Sequence, residues 1–337
     1  MKAGSAITPE LWPWSSAHFA APGNANLLIG APKNMPFRRL AFHPQTREVP
    51  RGDAILLHFP LVTPQRLGQH FLADPAWRER IAGAVLRPRA SADAERAGLW
   101  IEIGAGHGEM TALLAQQARH VIAIELDSNL LPDLRAAAAR LVNVSVVPGD
   151  VLSLDLGKLA RDSEFGGEPD GFFHVYGNLP YYITSPIVHH LFENAGGLES
   201  AFLVVQREVA ERIAATPGSR DYGYFSAFTQ MYSRPEILLH IPPGAFQPPP
   251  QVESALVALR IPGERAQLGV QDESAFLRFL KVCFAQKRKT LRNNLRSAWP
   301  ADVVDDWLRQ ARIAPGARAE QLTLAEFARL FAQRKIP

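Results

Sequence analysis

Between Pro64 and Pro262 short β-rich runs alternate with stretches of helical period, and this alternation leaves the chain few folds to choose from. LWIEI (99–103), HVIAIEL (120–126), NVSVV (143–147), FFHVY (172–176) and AFLVV (201–205) are largely apolar runs of strand length. EMTALLAQQ, SNLLPDLRAAAARL and SPIVHHLFE lie between them with apolar residues at helical spacing. The pattern predicts an α/β fold, a mainly parallel sheet covered on both faces, with ligands at the C-terminal strand ends. EILLHI (236–241) and VESALVALRI (252–261) read as late strands forming a hairpin at the sheet edge.

The flanks differ from this middle. Residues 1–63 contain scattered prolines and no sustained period, so they read as a disordered extension. Arg38, Arg39, Arg47 and Arg51 in an acid-poor stretch allow a targeting role, but a start codon placed too far upstream is the preferred explanation. After Gly263 the period is helical to the end, through SAFLRFLKVCFAQ, KTLRNNLRSAW, VVDDWLRQA and LAEFARLFAQ. The expected organisation is therefore an extension (1–63), a catalytic domain (64–262) and a small all-helical domain (263–337).

Charge follows the same division. From Arg260 onward there are 15 Lys or Arg against 8 Asp or Glu, whereas residues 65–259 hold 15 against 22. A basic module fused to an acidic one suits a polyanionic partner held by the appendage. Cys283 is the only cysteine, which excludes an internal disulfide and a cysteine-rich zinc site, and no metal is expected. No apolar run approaches the ~18 residues of a membrane span, and no secretory signal opens the chain. A soluble, cytoplasmic protein is expected.

The chemistry-bearing motifs fall at the strand ends. In EIGAGHGEMT (102–111) Gly104, Gly106 and Gly108 lie between a strand and a helix, where they permit a tight turn and close approach of a ligand. A dinucleotide fingerprint needs a further glycine where Glu109 stands, so NAD is disfavoured. Glu125 ends the next strand about 20 residues past Gly104, where a carboxylate can take both ribose hydroxyls. Asp150, in PGDVL after the third strand, is a further acceptor suited to a nucleobase amine. NLPYYIT (178–184) follows the fourth strand, with Gly177 expected as a bend.

This constellation resembles the Rossmann-like class I S-adenosylmethionine-dependent methyltransferases. The resemblance implies that the Asn178 side-chain oxygen and the Pro180 carbonyl accept the two hydrogens of an adenine amine, exposing its lone pair to the methyl donor. Tyr181 would stack on a base flipped out of its helix. RLGQHFL (66–72), IELD, GDVL, QREVAERI, FQPPPQVESA (246–255) and FAQKRKTLRNNL (284–295) occur in the order and spacing of the KsgA family of small-subunit ribosomal RNA adenine dimethyltransferases, over about residues 64–335.

Similarity to that family implies dimethylation at N6 of two adjacent adenosines near the 3′ end of small-subunit RNA, within an immature subunit, by a monomer with a role in assembly. It implies cofactor contacts at His70, Leu72, Gly104, Glu125, Asp150 and Asn178, and Phe246 closing on the target base opposite Tyr181. It also implies RNA contact by Lys287, Arg288, Lys289, Arg292 and Arg296. A helix over 285–298 would align Arg288, Arg292 and Arg296 as one basic stripe. Leu67 and Tyr182 depart from the family pattern. The rival readings are a large-subunit RNA methyltransferase of the antibiotic-resistance type and a non-catalytic nucleic-acid binder.

Overall fold

A computed structural model describes residues 69–86, 98–163, 172–194 and 196–334. The extension expected over 1–63, and positions Arg66 and Leu67, lie outside the described residues. The chain opens with β1 (Phe71–Leu72), α1 (Pro75–Val85), β2 (Leu99–Ile103), α2 (Glu109–Ala115), β3 (His120–Glu125), α3 (Leu131–Ala138) and β4 (Val144–Pro148). It continues through α4 (Leu156–Asp162), β5 (Phe173–Asn178), α5 (Thr184–Asn194), β6 (Leu198–Gln206), α6 (Arg207–Ala214), α7 (Tyr224–Tyr232), β7 (Arg234–Ile241), β8 (Phe246–Gln247) and β9 (Ser254–Arg260). Four helices close it: α8 (Glu273–Cys283), α9 (Leu291–Leu295), α10 (Ala301–Gln310) and α11 (Leu324–Phe331).

Seven strands form one sheet in the order β4-β3-β2-β5-β6-β9-β7. Neighbours from β4 to β6 are parallel, and β9 runs against both β6 and β7. The central strands are apolar on both faces because both faces are covered: every residue of β2 and β3 is buried. β7 and β9 pair antiparallel at the sheet edge as expected, with β7 outermost and β9 inside it. β9 lies between β6 and β7, with Ala255 through Leu259 wholly buried. The segment joining β7 and β9 is no hairpin turn, since it carries β8 away to a separate two-stranded sheet with β1.

Gly177 also departs from expectation. It lies inside β5 rather than at a bend, and a Cβ there would come within 2.7 Å of Leu179 Cδ2. The glycine lets the strand run on to Asn178 while Leu179 folds back beside it.

The C-terminal helices share their core with the sheet. Phe276, Phe279, Leu280, Leu291, Leu295, Phe327 and Leu330 belong to one buried cluster with Ile103, Leu203 and Val257. Burial of such side chains contributes roughly 1.5–3 kcal/mol each. The apolar stripe of α11 begins at a capping box in which Thr323 and Glu326 satisfy each other's backbone N–H groups.

The helix expected over 285–298 is broken. α8 stops at Cys283, residues 285–290 form a turn, and α9 spans only Leu291–Leu295. Two side chains cause the break. Thr290 adopts an extended conformation and accepts a bond from Asn293 N, which starts a new helix. Buried Asn294 donates to the carbonyls of Cys283 (2.7 Å) and Gln286 (3.2 Å), satisfying the end of α8. Arg288 consequently sits in a turn, off any helical stripe with Arg292 and Arg296.

Candidate active site

The sheet's order of succession reverses between β2 and β5, and a cleft opens at the C-terminal ends of these strands. Counted with the solvent at its mouth, it holds about 840 Å³ of empty space. Gly104 and Gly106 from the turn after β2, Glu125 from the end of β3, Asp150 after β4 and Asn178 from the end of β5 all line it.

The glycine turn is shaped by Glu125. Gly106 has φ 59°, a conformation costly for other residues, and its N–H donates to Glu125 Oε2 at 2.8 Å. Asp127 N–H donates to Oε1, also at 2.8 Å. Glu125 is 3% exposed, so one carboxylate ties β3's own end to the loop after β2 while its remaining lone pairs face the cleft. Asp150 spends one oxygen on Leu152 N at 3.0 Å, an N-cap that turns the chain and leaves the other oxygen for the cleft.

Asn178 is the last residue of β5, and its Nδ2 donates to the His70 carbonyl at 2.9 Å. A carbonyl can only accept, so the amide's orientation is fixed and Oδ1 is the group left over at the cleft. The Pro180 carbonyl accepts from Ile183 N at 3.1 Å and keeps a second lone pair. Tyr181 shares a 2.9 Å hydrogen bond with buried Ser254, and its ring stacks on that of His70. Burial raises the Tyr181 phenol above its usual range, as it does that of Tyr182, on which the Asp150 charge acts in the same direction.

Two expected site residues are placed elsewhere. Leu72 and Phe246 face each other across the β1–β8 pair, are 7% and 3% exposed, and belong to the apolar core on the sheet's other face. Neither lines the cleft. Side chains alternate along a strand, so burial of Leu72 turns its neighbour Phe71 outward to line the cleft instead. Sequence reasoning also missed Gln69 and Leu126 as cleft residues. Leu126 (53% exposed) and Tyr182 (43%) are large apolar side chains bared to solvent at strand ends; an apolar residue directly after the Glu125 carboxylate was the available signal.

The five basic residues expected on the RNA also separate. Lys287, Arg288 and Lys289 are exposed in the turn and have no ion-pair partner among the described residues. Arg292 and Arg296 both bind Asp305 of α10.

The cleft's polar groups are mostly acceptors: Glu125, Asp150, Asn178 Oδ1, and Gln69 Oε1, which is buried without a hydrogen-bond partner. Such a lining repels phosphates and suits a ligand rich in donors and positive charge, with flat apolar surface for Leu126 and Tyr182. S-adenosylmethionine has these features in its ribose hydroxyls, ammonium, sulfonium and adenine. Among the described residues no group of three or more His, Cys, Asp or Glu could hold a metal ion, and no helix is long and apolar enough to cross a membrane.

The strand order with β9 alone reversed, and the acceptor-lined cleft at the switch point, define a Rossmann-like methyltransferase. A model of the ribosomal RNA adenine dimethylase family matches residues 63–335, and the chain belongs to that family. A protein named ribosomal RNA small subunit methyltransferase A from Acidobacterium capsulatum is 43% identical over 291 residues, 86% of this chain and 95% of that protein. Its namesake from Koribacter versatilis is 39% identical over 79% of this chain and 92% of that protein. Among solved structures, the 23S rRNA methyltransferase ErmE matches with a TM-score of 0.56 and 26% identity over 78% of this chain and 98% of that one. A dimethyladenosine transferase from Plasmodium falciparum shares the fold, with a TM-score of 0.63 at 23% identity, over 78% of this chain and 97% of that one.

Proposed function

We propose that the chain transfers methyl groups from S-adenosylmethionine to N6 of two adjacent adenosines near the 3′ end of small-subunit ribosomal RNA. It acts as a monomer on the immature subunit in the cytoplasm and contributes to subunit assembly. The observation that carries this reading is the amide of Asn178, held through Nδ2 so that Oδ1 is offered to the cleft beside Tyr181. The names of the small-subunit relatives, at 43% and 39% identity, favour that RNA over the large-subunit substrate named for ErmE.

When bound, the cofactor supplies an electrophilic methyl group. Glu125 holds its ribose hydroxyls, Asp150 its adenine amine, and His70, Gly104 and Asn178 complete its site. Adenine N6 is a poor nucleophile because its lone pair is delocalised into the ring. Asn178 Oδ1 and the Pro180 carbonyl accept the two amine hydrogens, draw nitrogen toward tetrahedral geometry and free that lone pair. Tyr181 stacks on the extruded base and fixes its plane. Helices after residue 263 form the RNA-holding part, with Lys287, Arg288 and Lys289 on phosphates.

Incubation with labelled cofactor and unmethylated small subunits, followed by mapping of the label, tests the reading. Dimethylated adenosines at two adjacent positions of the small-subunit RNA are expected. Label confined to large-subunit RNA, or none at all, overturns it.

A further inference from the structure

His70 touches three parts of the cleft at once. Its Nδ1 lies 2.8 Å from the Pro248 carbonyl, an acceptor, so Nδ1 carries a hydrogen. Its ring stacks on Tyr181, with centroids 5.4 Å apart and planes inclined by 27°. Its own main-chain carbonyl receives the Asn178 amide. The far end of Tyr181 is held by Ser254, which is itself wholly buried at the start of β9.

These contacts act on the aromatic ring from different directions. Ser254 pins the phenol oxygen and fixes where the ring reaches, but a single bond at one end leaves the ring free to rock about its long axis. The imidazole prevents that rocking by lying against one face. It is kept there by Pro248, from the loop that follows β8. One face of Tyr181 is thereby covered, and a flat base can stack only on the other.

We infer that His70 is a positioning residue for methyl transfer: its imidazole backs Tyr181, so that the stacked adenine lies in the plane from which its amine reaches Asn178 Oδ1 and the Pro180 carbonyl. This role rests on the adenine site proposed above and is separate from any contact of His70 with the cofactor. The ring sets the plane of the base while the same residue's carbonyl aims the amide that receives the amine. Tilt of the base and orientation of the acceptor are thus referred to one residue.

Misplacement of reacting groups by about 1 Å can cost roughly 10²-fold in rate. At saturating cofactor and unmethylated small subunits, His70→Ala is expected to lower kcat by about that factor. Because His70 also belongs to the proposed cofactor site, calorimetry on each variant sets the cofactor concentration at which kcat is read, so that the loss in kcat is scored apart from any loss in cofactor affinity. His70→Phe, which restores a ring behind Tyr181, should recover at least about tenfold of the loss; His70→Asn, which keeps only a donor for Pro248, should not. In a double-mutant cycle, His70→Ala added to Tyr181→Leu should cause little further loss, because the ring it supports is gone.

A His70→Ala defect that appears as weakened cofactor binding with kcat restored at saturation overturns the inference. So does full recovery by Asn but not Phe, or additivity of the two losses in the cycle. The variants' cofactor binding reports whether they fold. If the parent protein places no methyl group on adenine in the same assay, it is the adenine-site reading that fails; an active parent isolates the test of His70.

Discussion

Arg292 meets Asp305 side-on, its Nε donating to one carboxylate oxygen at 2.6 Å while Nη2 donates to the other. Arg296 adds a bond to that second oxygen at 2.9 Å. The Arg292 hydrogen bonds, with the nearby Arg296 charge, pull the Asp305 carboxyl down to about 2. Asp305 therefore competes with any phosphate for both guanidinium groups; of the five basic residues proposed to hold RNA, Lys287, Arg288 and Lys289 would do so without displacing an ion-pair partner among the described residues.

Replacing Asp305 with Asn should strengthen binding to small subunits by releasing two arginines. Plotted as log affinity against log salt, the slope should steepen by roughly 0.7–0.9 for each arginine that then reaches a phosphate. Changing Lys287, Arg288 and Lys289 together to Gln should flatten it. Titration at several salt concentrations measures both; an unchanged slope in Asp305→Asn would place Arg292 and Arg296 away from the RNA path.

Asn178→Ala removes the acceptor proposed to act on the reacting amine. Turnover should fall by roughly 10² or more, the loss typical of one transition-state hydrogen bond, with RNA affinity nearly unchanged. Single-turnover methylation beside filter binding separates the two. Near-normal dimethylation would remove Asn178 from the chemistry.

Glu125 both shapes the glycine turn and lines the cleft, so its replacement tests more than the proposed ribose contact. In Glu125→Gln the amide NH₂ must oppose either Gly106 N–H or Asp127 N–H, because each carboxylate oxygen now accepts one of them. Cofactor binding should weaken by about 1.5–3 kcal/mol, the range for hydrogen bonds to a charged group. Calorimetry with S-adenosylmethionine decides it, and undiminished affinity would show that the carboxylate serves the turn alone.

Glu102 should make stability fall as pH rises. Burial, and then the nearby Glu125 and Glu109 charges, push this carboxyl up to about 8 from 4.5, against the lowering effect of the Thr111 hydroxyl bond. Below the unfolded value both states hold the proton. Between the two values the unfolded chain releases it while the folded chain keeps it, so stability declines with pH, and the loss is complete above the folded value. Glu102→Gln should abolish that decline: melting temperatures of the parent and the variant should diverge steadily from about pH 5 to pH 8 and keep a constant gap above it. Parallel curves would assign the proton to another group.

The strands were legible because burial on both faces writes an apolar run, and the acceptors at their ends because a parallel sheet collects its strand ends on one edge. Short elements left no such trace. β1 and β8 have two residues each and exist through pairing with one another, so the inward turn of Leu72 and Phe246 had no local signature. The turn at 285–290 was signalled locally by Thr290, a good N-cap residue, but the surrounding helical period concealed it. Arg292 and Asp305 pair between different helices, and helical spacing within one segment says nothing of such a partner.

The pairing of β1 with β8 also sets the order in which this enzyme becomes complete during its own synthesis. Phe71 emerges from the ribosome early, but its partner Gln247 follows only after the parallel strands have been made. Until then the Pro248 carbonyl that steadies His70 and the Ser254 hydroxyl that holds Tyr181 do not exist. A nascent chain ending at β6 has the strand ends that carry Gly104, Glu125 and Asn178 but lacks two supports of the wall beside them. Contacts so distant in sequence form late. A nascent chain that has not yet exposed β8 and the start of β9 thus has no finished cleft.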